Sequence, residues 1–135
     1  MNANTIATTA GRGLVALLFI FAGTAKAVTP QPFLDHMQAF GVPTLLLPAV
    51  IALELGAGIA LLLGWRIREA AGLLGAFCIL AAIIFHHDLA VKTERTLFFK
   101  DLAIAGGLLA MAAAARSTRR QTVRPGGASA AAAGD

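Results

Sequence analysis

The sequence predicts an all-α membrane protein: a four-transmembrane-helix bundle with a short interfacial amphipathic helix between helices 1 and 2. Three observations predict it. Hydrophobic residues make up 58% of the 135 and charged residues only 13%, with a mean hydropathy of +0.77. A soluble domain carries roughly a quarter of its residues as charges, so water cannot be the main solvent of this surface. The apolar residues gather into four long runs, and those runs are rich in Ala, Leu and Gly without period-2 alternation, which argues against barrel strands. The length suits one domain: residues 1–11 as a short cytoplasmic N-terminus, 12–115 as the four-helix domain, and 116–135 as a disordered basic cytoplasmic tail.

The first run, Gly13 to Val28, is interrupted only by Lys26. Its rival reading is a secretory signal, with Arg12 as the charged end, Leu14 to Ala22 as the apolar core and Ala25-Lys26-Ala27 as the cleavage site; a lysine inside that site and the multi-span context favour a retained helix. Next come Pro30 and Pro32, then Phe33, Leu34, Met37 and Phe40 at i, i+1, i+4 and i+7, with Asp35, His36 and Gln38 on the other face. Pro32 suits a first helical position and Gly41 a stop, so this linker is expected to lie as a helix at the membrane surface. The second run, Leu45 to Trp65, is interrupted by Glu54; the third, Ile67 to Phe85, opens with Arg68 and Glu69. Their tight link, Gly64 to Arg68, makes them antiparallel neighbours. After the polar link His86 to Thr96, the fourth run covers Leu97 to Ala115, with Lys100 and Asp101 near its start. A spanning helix needs roughly 17 to 25 residues, so these runs are short and some charges must snorkel from within helices. From Arg116 the chain is Arg, Ser, Gly, Pro and Ala without periodicity, the composition of a disordered tail.

The basic residues sort by side. Arg12, Arg66, Arg68, Arg116, Arg119, Arg120 and Arg124 fall at one end of the runs; Lys26, Lys92, Arg95 and Lys100 fall at the other, offset by Asp35, Asp88, Glu94 and Asp101. The arginine-rich side is expected to be cytoplasmic, with both termini inside and Trp65 as an interfacial anchor there. Because the basic residues cap apolar runs and fill a tail, the net charge of +4 does not mark nucleic-acid binding. Helices in lipid associate through small residues, and Ala52, Gly56, Ala60 and Gly64 form a ridge at i+4 steps that is expected to carry packing. Ala71 with Gly75, Gly72 with Ala76, and Ala103 with Gly107 offer the same in the later runs. Cys78, the single cysteine, excludes an internal disulfide and reads as a small hydrophobe.

Glu54 is the sharpest functional candidate. At least six apolar or small residues flank it on either side, and a charge at mid-membrane depth costs about 2.5 to 3.5 kcal/mol. It should therefore face the bundle interior and meet a cation, with Lys26 and Lys100 as candidates. With Pro48 in the first turn of its helix, Glu54 lies roughly 9 Å deep, within reach of a long lysine on a neighbour. His86 and Asp101 join the same half of the bundle, so Lys26, Glu54, His86, Lys100 and Asp101 form one expected polar cluster. Two readings of it compete: a site for a polar ligand, a quinone headgroup or protons, and a buried ion network that fixes helix register. Metal ligation is not expected, since adjacent His86 and His87 cannot easily face one ion. No serine triad, H-E-x-x-H, Rossmann or Walker pattern occurs.

The chain resembles the DoxX-like bacterial membrane proteins. The resemblance is carried by Gly11-Arg12 with Phe19, Gly23 and Lys26, by Phe33 and the Phe40-to-Pro43 segment FGVP, by Glu54 to Gly58 before LLLGW at Leu61 to Trp65, and by His86 and FFKDLAIAGGLL from Phe98 to Leu109. It spans about residues 11 to 115. Many members carry Asn after the fourth-helix lysine, whereas this chain has Asp101, which alters the charge of any network there. The resemblance implies a four-helix inner-membrane scaffold. Related DoxD-type proteins are linked to thiosulfate oxidation with a quinone acceptor, so it also implies an accessory or quinone-linked subunit of a membrane redox system, with a membrane quinone as the candidate cofactor. A stand-alone catalyst is not expected. The alternatives are a purely structural membrane protein and a small proton-coupled transporter; the latter is weakened because small multidrug exporters place their carboxylate in the first helix among aromatics. The expected partners are the lipid bilayer and a membrane or peripheral redox protein, with self-association left open.

Overall fold

The computed structural model describes the backbone of residues 1–122 and the side chains through residue 117. The element order is α1 (Ala3–Val28), α2 (Gln31–Ala39), a 3-10 turn (Thr44–Leu46), α3 (Leu47–Leu63), α4 (Ile67–Phe85) and α5 (Lys92–Thr122). Among the described residues, four helical segments are long and apolar enough to cross a membrane: Ala3–Val28, Thr44–Leu63, Ile67–Phe85 and Lys92–Ser117. The fold is thus the expected four-helix transmembrane arrangement, with short α2 outside the spans.

Two boundaries differ from the sequence reading. α1 begins at Ala3 rather than near Arg12, because nothing in residues 4–11 breaks a helix and the Asn2 side chain caps it, accepting from the Thr5 amide at 2.9 Å. α5 runs from Lys92 to Thr122, past both ends of its apolar run. Residues on either side of that run include the helix formers Lys92, Glu94, Arg95 and Arg116, so the backbone has no reason to stop where the hydrophobicity does. The disordered tail expected from residue 116 is therefore helical through Thr122, and its remainder lies outside the described residues.

The bundle is built as two helix pairs. α1 packs along α3, α4 packs along α5, and α3 joins the pairs through α4. The α3–α4 link turns sharply on left-handed backbone at Gly64 (φ 73°) and Arg66 (φ 46°). Glycine takes this conformation at little cost, while Arg66 carries a penalty of roughly 1–2 kcal/mol. Arg12 of α1 reaches this corner: a Cβ at Gly64 would lie 3.3 Å from its guanidinium. A cation over the carbonyl end of α3 is favoured by the helix dipole.

Small residues carry the contacts, but not the set the i+4 ridge predicted. Of Ala52, Gly56, Ala60 and Gly64, only Ala60 is buried, and a Cβ at Gly56 would meet nothing within 4 Å. The buried line of α3 is Leu47, Glu54, Gly58 and Leu61, with Ala60 on a neighbouring face. Each i+4 step drifts about 40° around a helix, so four such residues cannot hold one face. Ala52 and Gly56 stand two residues either side of Glu54, roughly 160° away from it, and face outward. The close crossing instead uses two glycines at different levels: Gly23 of α1 receives Leu55 and Glu54 of α3, and Gly58 of α3 receives Ile20 and Ala16 of α1. A Cβ at Gly58 would come within 3.0 Å of Ile20 Cγ1 and 3.3 Å of the Ile20 amide nitrogen. On α4, Ala71, Leu74, Gly75, Cys78 and Ala82 are buried, and Ala71, Leu74, Gly75 and Cys78 share a core with Ala105 and Leu108 of α5; Ala103 and Gly107 are exposed. Large apolar side chains such as Leu14, Phe21 and Leu63 point outward, as a hydrocarbon surrounding requires.

Candidate functional site

α1 and α4 end, and α3 and α5 begin, at the same end of the bundle, here called the lysine end. Lys26 sits in the last turn of α1. Pro48 stands in the first turn of α3, so Glu54 lies about two turns in. Lys26 Nζ is 2.9 Å from Glu54 Oε2 and donates to Oε1 at 3.1 Å. The pair is well shielded, with 16% of the lysine side chain and 4% of the glutamate side chain accessible. Burial makes each charge depend on the other, because an unpartnered one would lose its hydration with no compensation. Lys26 has two further neighbours: the Ala22 carbonyl at 3.5 Å and the Phe33 ring of α2, whose centroid lies 4.9 Å from Nζ.

Beside the pair opens a groove of about 500 Å³, lined by Lys26, Ala27, Pro30, Leu34, Thr44, Leu45, Leu47, Pro48 and Ile51. Its walls are almost wholly apolar and its charged member is Lys26. Helix α2 forms one wall. Met37 is buried beneath it, and His36 and Phe40 pack on Phe85 at the end of α4, with ring centroids 5.0 and 5.4 Å apart. Gly41, at φ 69°, lets the chain reverse from α2 toward α3.

The second polar group belongs to the other helix pair. His86 caps α4, and its Nδ1 lies 2.7 Å from Glu94 Oε2 in the first turn of α5. Its Nε2 faces Asp101 Oδ2 at 4.0 Å. His87 turns away, with Nδ1 3.0 Å from the Ile84 carbonyl. Among the described residues, no group of three or more His, Cys, Asp or Glu could hold a metal ion.

With this geometry established, the chain can be compared with known proteins. The DoxX family profile matches residues 7–87. The chain belongs to the DoxX family. Within that family it is similar to inner membrane protein YqjF of Escherichia coli (strain K12), 40% identical over 101 residues, covering 75% of this chain and 78% of that protein. It is also similar to inner membrane protein YphA of the same organism, 33% identical over 105 residues, covering 73% of this chain and 75% of that one. No solved structure gives a significant match. The DoxX match takes in both halves of the Lys26–Glu54 pair and the groove, and ends at His87, before α5.

The expected five-residue cluster is thus divided. Lys26 and Glu54 meet across α1 and α3, while His86 and Asp101 face each other across α4 and α5. Lys100 joins neither pair and is exposed on α5. Cys78 is buried in the apolar core between α4 and α5. Glu94 was absent from the expected cluster, though its i, i+7 spacing from Asp101 puts both on one helix face.

Proposed function

We propose that this DoxX protein is a multi-pass protein of the bacterial inner membrane that serves as an accessory, quinone-linked subunit of a membrane redox system. The single observation that carries the reading is the Lys26–Glu54 pair at the head of an apolar groove. The similarity to two Escherichia coli inner membrane proteins supports the location. The arginine count supports both termini lying on the cytoplasmic side.

The residues present fit a quinone. An isoprenoid tail wants walls such as Leu34, Leu45, Leu47 and Ile51, and a carbonyl oxygen wants a donor. Lys26 can supply one, because its contact to Ala22 is long at 3.5 Å and its face toward Phe33 holds no hydrogen-bond acceptor. Both Glu54 oxygens face the same ammonium, Oε2 at 2.9 Å and Oε1 at 3.1 Å, so the carboxylate keeps lone pairs beyond that contact. A bound quinone supplies two-electron, two-proton acceptor chemistry; the protein's share is to hold it, orient it and keep its headgroup at a fixed depth. Electrons would come from a partner protein in the membrane or at its surface.

Purification in mild detergent, followed by lipid extraction and mass spectrometry, tests this. Wild type is expected to retain quinone above the level of an unrelated four-helix protein, and Leu47→Trp, which fills the groove, to lose it while staying folded. Equal quinone in wild type, Leu47→Trp and the control would refute the groove as its site. Copurification with a redox enzyme would extend the reading to the partner.

A further inference from the structure

The His86 group sits apart from the groove and has a chemistry of its own. Glu94 lies in the first turn of α5 and Asp101 seven positions later, roughly 10 Å further from the lysine end along the helix axis. His86 stands between them, Nδ1 at 2.7 Å from Glu94 and Nε2 at 4.0 Å from Asp101. An imidazole hydrogen-bonded to a shallow carboxylate at one nitrogen and facing a deeper one across 4.0 Å at the other is an arrangement that moves protons: it takes one at either nitrogen and releases one from the other. The side chains are 32% (Glu94), 19% (His86) and 26% (Asp101) accessible, so the chain is most shielded at its middle member and is not sealed from water at either end.

We propose that Glu94, His86 and Asp101 form a proton-transfer chain between the aqueous surface at the lysine end and the Asp101 carboxylate inside the bundle. The step balances without a redox partner. Protonated Asp101 gives its proton to Nε2, the Nδ1 proton passes to the Glu94 carboxylate, and Glu94 releases it to water; uptake reverses the sequence. The Asp101–Nε2 gap is longer than a hydrogen bond, so transfer there takes a bridging water or a small side-chain rotation. Afterwards the ring regains its first tautomer by exchange with water at its accessible edge.

The surrounding groups agree with this assignment. Lys100 neighbours Asp101 and contributes positive potential there. His87 is engaged by Ile84 and packs edge-on against Phe40, while His36 of α2 is stacked on Phe85, so neither competes for Glu94 or Asp101. The proposal stands on these contacts and does not require a quinone in the groove.

Time-resolved infrared spectroscopy after a pH jump, on the full chain in lipid nanodiscs, reads the chain directly. Asp101→Asn identifies the share of the protonated-carboxyl band due to Asp101. In wild type that share should respond within mixing. His86→Gln and Glu94→Gln should each slow it by about ten-fold or more while the final amplitude remains. His86→Gly should recover with added imidazoles, faster for bases whose pKa lies nearer the working pH, a dependence that restored packing alone would not produce. Glu94→Gln keeps the test open should the His86 variants fold poorly. An unchanged rate in His86→Gln and Glu94→Gln, or a spectrum indifferent to Asp101→Asn, overturns the proposal. So does a slowed His86→Gly that no imidazole rescues.

Discussion

At the residue scale, the Lys26–Glu54 pair makes the clearest demand on stability. Removing one partner strands a shielded charge, and losses of about 3–5 kcal/mol follow from breaking buried pairs this way. Lys26→Met should therefore lower the unfolding midpoint in detergent sharply, Glu54→Gln less, and the combination Lys26→Met with Glu54→Leu should recover most of the loss. A double variant as unstable as the worse single one, measured by circular dichroism melting, would show that the pair adds more than mutual neutralisation. Glu54 was legible in the sequence because a lone charge within an apolar run must face inward, and Lys26 because its helix ends where the next span begins. Lys100 was misplaced for a helical-phase reason. It is adjacent to Asp101, about 100° around α5, so once Asp101 faces His86 the lysine faces outward. Glu94 was read as a loop charge only because α5 was expected to start at Leu97.

At the element scale, α3 is governed by Glu54 rather than by its own small residues. The charge fixes the inward face, Gly58 follows one turn on, and the spacing that looks most regular, Ala52 to Gly64, winds around to the outside. Gly58→Leu should accordingly cost about 1–3 kcal/mol through overpacking against Ile20 and the α1 backbone. Gly56→Leu, with nothing within 4 Å of its Cβ, should be close to neutral; comparing their thermal midpoints in one detergent checks the assignment of faces. Helix α2 was predicted in place and span by its i, i+1, i+4, i+7 pattern and its flanking Pro and Gly residues. Its docking was not, since nothing local to residues 31–39 says that Phe85, far along the chain, will receive the rings of His36 and Phe40.

At the scale of the whole molecule, composition alone settled the class: too few charges for a watery surface and four runs of spanning length. Which helices pair was less visible. The short α3–α4 link makes those two neighbours, yet the more extensive packing joins α1 to α3 and α4 to α5, choices made by Gly23 receiving Leu55, by Gly58 receiving Ile20, and by Gly75 receiving Leu108. Membrane orientation remains a matter of charge. A reporter that fluoresces only in the cytoplasm should light when fused at either terminus, and alkaline phosphatase should be active when inserted after Asp88. The opposite pattern would invert the sidedness proposed for the groove and for the proton chain alike.

The ion pair also has a history in each molecule's making. Lys26 precedes Glu54 by 28 residues, so when the lysine emerges during synthesis its counter-ion is still inside the ribosome. Until α3 arrives, the ammonium must lean toward the headgroups from the last turn of α1, leaving that helix shallowly seated. Arrival of the carboxylate lets the lysine retract and α1 settle to its final depth, so insertion of the first span is completed only by the emergence of the second.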